Sequence, residues 1–373
     1  MSKREKNMKK ELLTIVVCPC CRKKELTLSH IFSNEFQEVI DGIIVCAHCN
    51  NWYPVIKGIP RLLPDELKYS ILKTYNSCFI ERYKDYIPNI GFTEKLLEKE
   101  LKAKVQTSDA FGYEWTHWPE AKKGHYGQFV HWTEPYSPSF FKGKVVLDAG
   151  CGTGNHCGYM ADWGATIIGI DFSEAITVTY ENKNLFKPHA HFIQADIYHP
   201  PFPEEYFDFI YSHGVLHHLL DPEKGFHTLG MHLKKGGTIL IRMYNKEDNF
   251  FMIYFIEKFF KGIIKHLPFF VINAISFFLA SLLFFIIHTI YKPFYKINKK
   301  LGEILLPYFY YFIYISQFSF YQLHLIVFDL LIAPLAFYYK KDELLKWYAK
   351  PNFEVISILG KDEGAWRIAG RKD

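Results

Sequence analysis

Two Cys-x2-Cys pairs stand near the start of the chain, Cys18-Pro-Cys-Cys21 and Cys46-Ala-His-Cys49, with 24 residues between them. Four thiolates at this spacing close a tetrahedral Zn2+ shell. Four protein ligands leave no open position, so such a metal is structural. Cys20 and His48 are further donors within the knuckles, and a ligand swap stays open. Farther on, Asp148-Ala-Gly-Cys-Gly-Thr-Gly154 sets an acid ahead of three alternate glycines. Glycine lets the main chain pass close to a ligand, and a helix N-terminus behind it offers N–H groups. A dinucleotide fingerprint would need glycine where Asn155 stands, so the pattern suits a ligand without a pyrophosphate. Two more acids, Asp171 and Asp196, end apolar runs. Ser212-His-Gly-Val-Leu-His-His218 supplies imidazoles, the side chains whose pKa lies nearest neutrality and which can take a proton from a hydroxyl.

A frame must bring these groups together. Apolar runs at Val145–Leu147, Thr166–Phe172, His191–Asp196, Tyr206–His213 and Thr238–Met243 read as strands. Helices fit from about Asn155 to Trp163, from Ser173, and from Asp221-Pro222 to Leu233. Strands alternating with helices imply an α/β fold with a parallel sheet and right-handed crossovers. Ligands then sit at the carboxyl ends of the strands, where Asp148, Asp171 and Asp196 converge. A helix at Asp342–Tyr348 and strands at 350–360 and 365–371 close the sheet. In the N-terminal region, ELTLSHIF and EVIDGIIVC alternate as a hairpin that carries the cysteine knuckles.

Residues 144–244 resemble a class I, type 11-like S-adenosylmethionine-dependent methyltransferase. LDAGCGTG, GIDFSEA, QADIYHPPF, FDFIYSHGVLHHLLDP and LKKGGTILIRMY carry the resemblance, in the family's order and spacing. It implies a doubly wound, Rossmann-like seven-stranded sheet. It also implies that Gly150, Gly152 and Gly154 approach the methionine part of S-adenosyl-L-methionine and that Asp148 helps hold its amino end. By the same resemblance Asp171 takes the ribose hydroxyls with Phe172 against the adenine, and Asp196 with Ile197 recognises the adenine edge. Residues 12–64, ending in WYPVIKGIPRLL, resemble the small zinc ribbons that activate methyltransferases, with Cys18, Cys21, Cys46 and Cys49 as ligands. His217 and His218, near the crevice mouth, are the candidate catalytic bases. Cys151 and Cys157 read as small core residues.

The chain has 373 residues, 49% apolar and 18% aromatic, with net charge +5, which permits nucleic acid or an anionic membrane as partner and demands neither. The N-terminus is basic with no apolar segment behind it, which points to the cytoplasm and to reduced cysteines. Five segments follow: a ribbon with basic tail (1–64), a helical linker or lid (65–140), the cofactor core (141–248), an apolar helical insertion (249–338) and a closing unit (339–373). The lid is expected from the aromatics of 109–136, Phe111, Tyr113, Trp115, Trp118 and Trp132. The insertion holds two charge-free runs, Leu267–Tyr291 and Ile304–Phe328, each 25 residues. About 20 residues span a bilayer, but Lys292, Lys296, Lys299 and Lys300 in the connection disfavour a crossing. Helices lying at the inner membrane face fit better, with Lys258, Lys261 and Lys265 adding to a basic rim, and a soluble helical cap over the acceptor site is the other reading. Asp329 is an acid in apolar context, facing an acceptor or a lysine.

The expected activity is O- or C-methylation of a small-molecule or lipid-linked acceptor. RNA base methylation is the rival reading. Against it, no dense basic stripe with interleaved aromatics appears beyond the N-terminal tail. A non-catalytic partner protein is the third reading, and the intact cofactor motifs oppose it.

Overall fold

The computed structural model describes residues 8–33, 39–64, 68, 79, 82–83, 105–113, 126–181, 189–250, 253–254, 264, 267–350, 352–360 and 364–373. Its strands are β1 (Leu26–Ser33), β2 (Val39–Cys46), β3 (Trp52–Ile56), β4 (Ile59–Leu62), β5 (Val145–Ala149), β6 (Thr166–Asp171), β7 (Ala190–Ala195), β8 (Phe207–His213), β9 (Leu233–Tyr244), β10 (Phe353–Leu359) and β11 (Ala365–Lys372). All join one sheet in the order β1-β2-β3-β4-β7-β6-β5-β8-β9-β11-β10.

The seven strands from β7 to β10 are the expected core. β7, β6, β5, β8 and β9 pair in parallel, and β11 and β10 add antiparallel. Parallel strands are covered on both faces, which is why these segments read as unbroken apolar runs. Successive side chains point to opposite faces. Leu147, Ile168, Ile193, Ile210 and Ile241 therefore pack with Phe226 on one side. Val146, Ile167, Phe209 and Leu240 pack with Phe129 and Phe141 on the other. The expected helices form as Asn155–Asp162, Ala175–Glu181, Pro222–Met231 and Lys341–Ala349. Asp221 caps the third, its carboxylate accepting from the Lys224 N–H at 3.0 Å.

The ribbon extends this sheet. Its antiparallel strands β1 to β4 end in β4, which pairs in parallel with β7 through Arg61↔Gln194 and Leu62↔Ala195. The first knuckle docks as well. Val17 N–H donates to the Pro201 carbonyl at 2.9 Å, and Arg22 donates to the carbonyls of Pro200 (2.5 Å) and Phe202 (2.6 Å). Sheet and ribbon share one hydrophobic core, in which Val16, Ile44 and Tyr53 join Leu147 and Ile193.

The first apolar run of the insertion becomes the helix Phe269–Ile286, which continues through a π-turn at Ile287–Tyr291 and a short helix at Lys292–Ile297. Ile272, Ser276 and Ala280 form its buried stripe at i, i+4, i+8. Small residues there let the helix Phe320–Ile332 approach, and Ser276 Oγ meets His324 Nε2 at 2.9 Å. The second run breaks after Leu305. Pro307 cannot continue a helix, Tyr308 takes a left-handed backbone (φ 56°), and two shorter helices follow, Phe309–Ile315 and Phe320–Ile332. Among the described residues only Phe269–Ile297 is long and apolar enough to cross a membrane. Lys258, Lys261 and Lys265, and the lid residues Trp115 and Trp118, lie outside the described residues.

Candidate functional site

β5 delivers Asp148 and then the glycine turn. Gly150 has φ 87°, and a Cβ there would come within 2.3 Å of Val215. Only glycine fits both the backbone and the space. Gly152 (φ 53°) donates its N–H to Asp171 Oδ2 at 2.8 Å, tying the turn to the end of β6. Asp171 Oδ1 accepts from the N–H (2.8 Å) and hydroxyl (2.6 Å) of Ser173, so its orientation is fixed from both oxygens. A carboxylate has about four acceptor positions, so with three filled one remains, on Oδ2, for a ligand hydroxyl. Asp196, 4% exposed at the end of β7, accepts from Tyr198 N–H at 3.1 Å and lies 3.1 Å from His199 Nδ1.

These groups line one cavity of about 690 Å³. On the sheet side its wall includes Gly150, Cys151, Gly152, Asp171, Phe172, Asp196 and Ile197. Two predicted residues stand behind that wall. Gly154 caps the helix Asn155–Asp162 and packs toward Phe192. Asp148 is 1% exposed, and its Oδ2 accepts from the Cys157 thiol at 3.3 Å. Burial pushes the Asp148 carboxyl up to about 7, with the Asp171 charge adding to the rise.

The histidines separate. His217 is fully buried, its ring 3.8 Å from that of Tyr244, and it is absent from the cavity wall. His218 is on the wall, with Nδ1 2.6 Å from the Leu335 carbonyl. A carbonyl only accepts, so in the neutral ring Nδ1 carries the proton and Nε2 is the basic nitrogen. The return segment of the insertion makes this contact, and Phe337 N–H to the His217 carbonyl (2.9 Å) pins it there. His213 also lines the cavity, against Trp132 at 4.2 Å. Burial first, then the neighbouring Arg242, holds it well below its ordinary pKa and therefore neutral.

The opposite wall comes from the insertion: Leu279 and Leu283, Tyr311 to Ile315 in part, Phe318, Leu325 and Leu330. Arg242 and Tyr244, at the end of β9, stand between the two walls with Asp329 from the helix Phe320–Ile332. The lid expectation falls on Phe111, which lies 5.0 Å from His218, and on Trp132; both line the cavity. Helix 105–113 also joins the insertion through Tyr113, stacked on Phe269 at 4.6 Å.

Residues absent from the sequence reading support the Asp171 side of the cavity from the ribbon. The Arg61 side chain is 0% exposed and donates to Gln194 Oε1 (2.7 Å) and Thr177 Oγ1 (3.1 Å), with Glu174 at 3.6 Å. Gln194 Nε2 in turn donates to the Phe172 carbonyl (2.9 Å) and Glu174 (3.2 Å). A lone arginine in an apolar strand gives little sequence signal, because its partners lie more than 100 positions away.

At the other end, the Sγ atoms of Cys18, Cys21, Cys46 and Cys49 all lie within 4.8 Å of one another. Cys18–Cys49 and Cys21–Cys46 are each 3.6 Å apart. A tetrahedral zinc with bonds of about 2.3 Å needs edges of about 3.8 Å, so the set fits. Tyr53 O–H lies 3.1 Å from Cys18 Sγ and would donate to its thiolate. Cys20 is exposed.

Residues 147–241 match the family model of a methyltransferase domain, and residues 9–58 match that of Trm112p-like protein. The chain joins a class I methyltransferase domain to a Trm112p-like ribbon. A phosphoethanolamine N-methyltransferase of Zea mays is 37% identical over 106 residues, 28% of this chain and 21% of that protein. A tRNA U34 carboxymethyltransferase of Alteromonas mediterranea is 33% identical over 28% of this chain and 33% of that protein. A demethylmenaquinone methyltransferase of Clavibacter sepedonicus is 31% identical over 26% of this chain and 40% of that protein. The chain thus spans 21% to 40% of the length of these relatives. Their names differ in acceptor.

Proposed function

We propose that the chain transfers a methyl group from S-adenosyl-L-methionine to an oxygen or carbon of a small-molecule or lipid-linked acceptor. The observation that carries this reading is the single cavity, which runs from Gly150, Asp171 and Asp196 to an apolar wall built by the insertion. Gly150 and Gly152 would hold the methionine end, with Asp148 bracing their turn from behind the wall, Asp171 and Phe172 the ribose and adenine, and Asp196 with Ile197 the adenine edge. S-adenosylmethionine supplies its own electrophilic methyl group, so the protein's work is to position the acceptor and exclude water. His218 Nε2 would take the acceptor's proton. Its ring is set by Leu335 and shielded by Phe111. General-base help of this kind contributes about 10²- to 10⁴-fold. His218→Ala should lower kcat by at least that lower bound, while His217→Ala should act mainly on stability. Equal, full turnover in both would remove the base from the scheme.

The acceptor class is tested by incubating the chain with methyl-labelled cofactor and separate lipid, quinone, glycan and RNA fractions of the source cell. Label in a lipid or small-molecule fraction is expected. Label in RNA alone would replace this reading with base methylation, which the tRNA-modifying relative keeps in view.

We further place the chain in the cytoplasm, at the inner membrane face. The helix Phe269–Ile286 presents Phe270 (70% exposed), Phe278 (69%) and Phe285 (64%) outward. Lys296, Lys299 and Lys300 are exposed at its far end. Aromatic rings at the acyl boundary and lysines at anionic headgroups suit an interfacial helix. The chain should float with anionic liposomes and not with neutral ones at 0.15 M salt. Failure to float with either ends the membrane reading and leaves methyl transfer standing.

A further inference from the structure

The acceptor half of the cavity has more chemistry than an apolar cap requires. A cap that only excludes water can be lined by Leu and Phe throughout, because a charge beside apolar walls carries a desolvation cost. Here Arg242 and Asp329 both line the wall, one from the sheet and one from the insertion. Tyr244 and Tyr311, also on the wall, lie within electrostatic range of both charges. Burial pushes Tyr311 up to about 12 and Tyr244 well above its ordinary value, so both phenols stay neutral and can donate. Tyr338 stacks on Tyr244 at 5.5 Å and 24°, and both rings line the wall. Leu279, Leu283, Phe312, Ile315, Phe318 and Leu325 continue the wall away from the sheet with no charged group among them.

We infer that Arg242, Asp329, Tyr244 and Tyr311 form a head-group subsite, and that the acceptor is an amphiphile: a hydroxylated aromatic ring joined to an apolar chain. The inference rests on the methyl-transfer reading for which end of the cavity receives the methyl group. Arg242 would donate to an acceptor oxygen on the ring, since a guanidinium accepts nothing. Asp329 would accept from a ring hydroxyl. With Tyr244 held between His217 and Tyr338, rigid rings wall this corner and favour a flat head over a branched one. The chain would then lie along Leu283, Ile315 and Leu325. Leu279 and Leu283 belong to the same helix whose outer side exposes Phe278 and Phe285, so the tail end of the cavity is the end nearest the apolar surface.

The test is calorimetric titration of the full chain with the methyl, octyl and dodecyl esters of 3,4-dihydroxybenzoic acid below their micelle concentrations. Titrations are run with and without saturating S-adenosylhomocysteine. Each buried methylene can contribute up to about fourfold in affinity. The octyl ester should therefore bind at least 100-fold more tightly than the methyl ester. Arg242→Met and Asp329→Asn should each weaken the octyl ester at least tenfold and leave S-adenosylhomocysteine affinity within twofold. Phe278→Ser, on the outer face, should leave ester binding unchanged. Equal affinities for the methyl and octyl esters overturn the inference. So does octyl-ester binding that neither Arg242→Met nor Asp329→Asn alters, or that Phe278→Ser abolishes. Loss of S-adenosylhomocysteine binding by the unmodified chain overturns the methyltransferase reading instead, and the cofactor-free titrations still decide the head and tail assignment.

Discussion

Replacing Arg61 by methionine should weaken cofactor binding from a residue that touches no cofactor. The guanidinium is fully buried and joins the ribbon to β7 and to the helix Ala175–Glu181: Gln194 and Thr177 by hydrogen bonds, Glu174 by charge. Hydrogen bonds to a charged group contribute about 1.5–3 kcal/mol each when the partner is left buried. The pair with Glu174, whose side chain is 29% exposed, is screened by water and adds at most ~1 kcal/mol. Methionine restores part of the packing and avoids the cost of burying a charge. A net loss of about 3 kcal/mol follows, roughly 5–10 °C in melting temperature. The cofactor effect runs through Gln194, whose amide donates to the Phe172 carbonyl. If that tether is lost, binding must reorder about one residue of backbone, at about 1–2 kcal/mol, or roughly 5- to 30-fold in Kd. Calorimetry with S-adenosylhomocysteine and thermal melts measure the two effects separately. Arg61→Lys, which keeps the charge but not the two-pronged donor, should fall between wild type and Arg61→Met. A melting temperature lowered as expected with cofactor Kd unchanged would refute the coupling and reduce Arg61 to a stability residue.

The Asp148 carboxyl lies near 7 in the folded chain and near 3.9 when unfolded. Between about pH 4 and 7 the folded state holds a proton that the unfolded state has released, so stability falls as pH rises through that window and is flat above it. Asp148→Asn removes this contribution. Melts from pH 4.5 to 8 should show the variant gaining on wild type with rising pH, by about 3 kcal/mol, and a constant difference would contradict the assignment. Gly150→Ala meets both Val215 and a positive φ, so cofactor affinity should drop at least tenfold. Adding Val215→Ala should recover only part of it, because the left-handed backbone still costs about 1–2 kcal/mol, and full recovery would mean that space alone excludes the methyl group. Removing metal with a chelator should lower the melting temperature of the chain in one transition, since ribbon and core share a sheet across β4 and β7. Two separate transitions would show them to be independent units.

The parallel core was legible because each strand is buried on both faces and so appears as an apolar run ended by an acid or a glycine turn. Asp171 and Asp196 could be placed at one crevice from topology alone. The same local signal could not distinguish His217 from His218, adjacent in sequence yet one sealed beneath Tyr244 and the other on the wall. The His218 ring is oriented by Leu335, 117 positions away. The four cysteines declared themselves by spacing, but the attachment of their ribbon did not. β4 reads as an ordinary short strand, and its pairing with β7 depends on which sheet edge is open. The second apolar run looked continuous in hydropathy. Pro307 and the left-handed Tyr308 divide it, and hydropathy does not register a backbone turn.

The arrangement separates two kinds of recognition. The proposed cofactor contacts come from strand ends and the turns after them, where the backbone is fixed by pairing on both sides and braced from the ribbon through Arg61 and Arg22. The proposed acceptor contacts come mainly from an insertion after β9, held to the sheet by the Asn245↔Tyr339 bridge and by Phe337 along His217. Sequence change in the insertion can therefore alter head or tail preference without disturbing Asp171 or Gly150. The exception is His218, whose ring is oriented by the insertion's own Leu335 carbonyl. The candidate base is thus set by the acceptor wall although it belongs to the cofactor domain, and an acceptor that displaced the 335–338 segment would lose its base along with its fit.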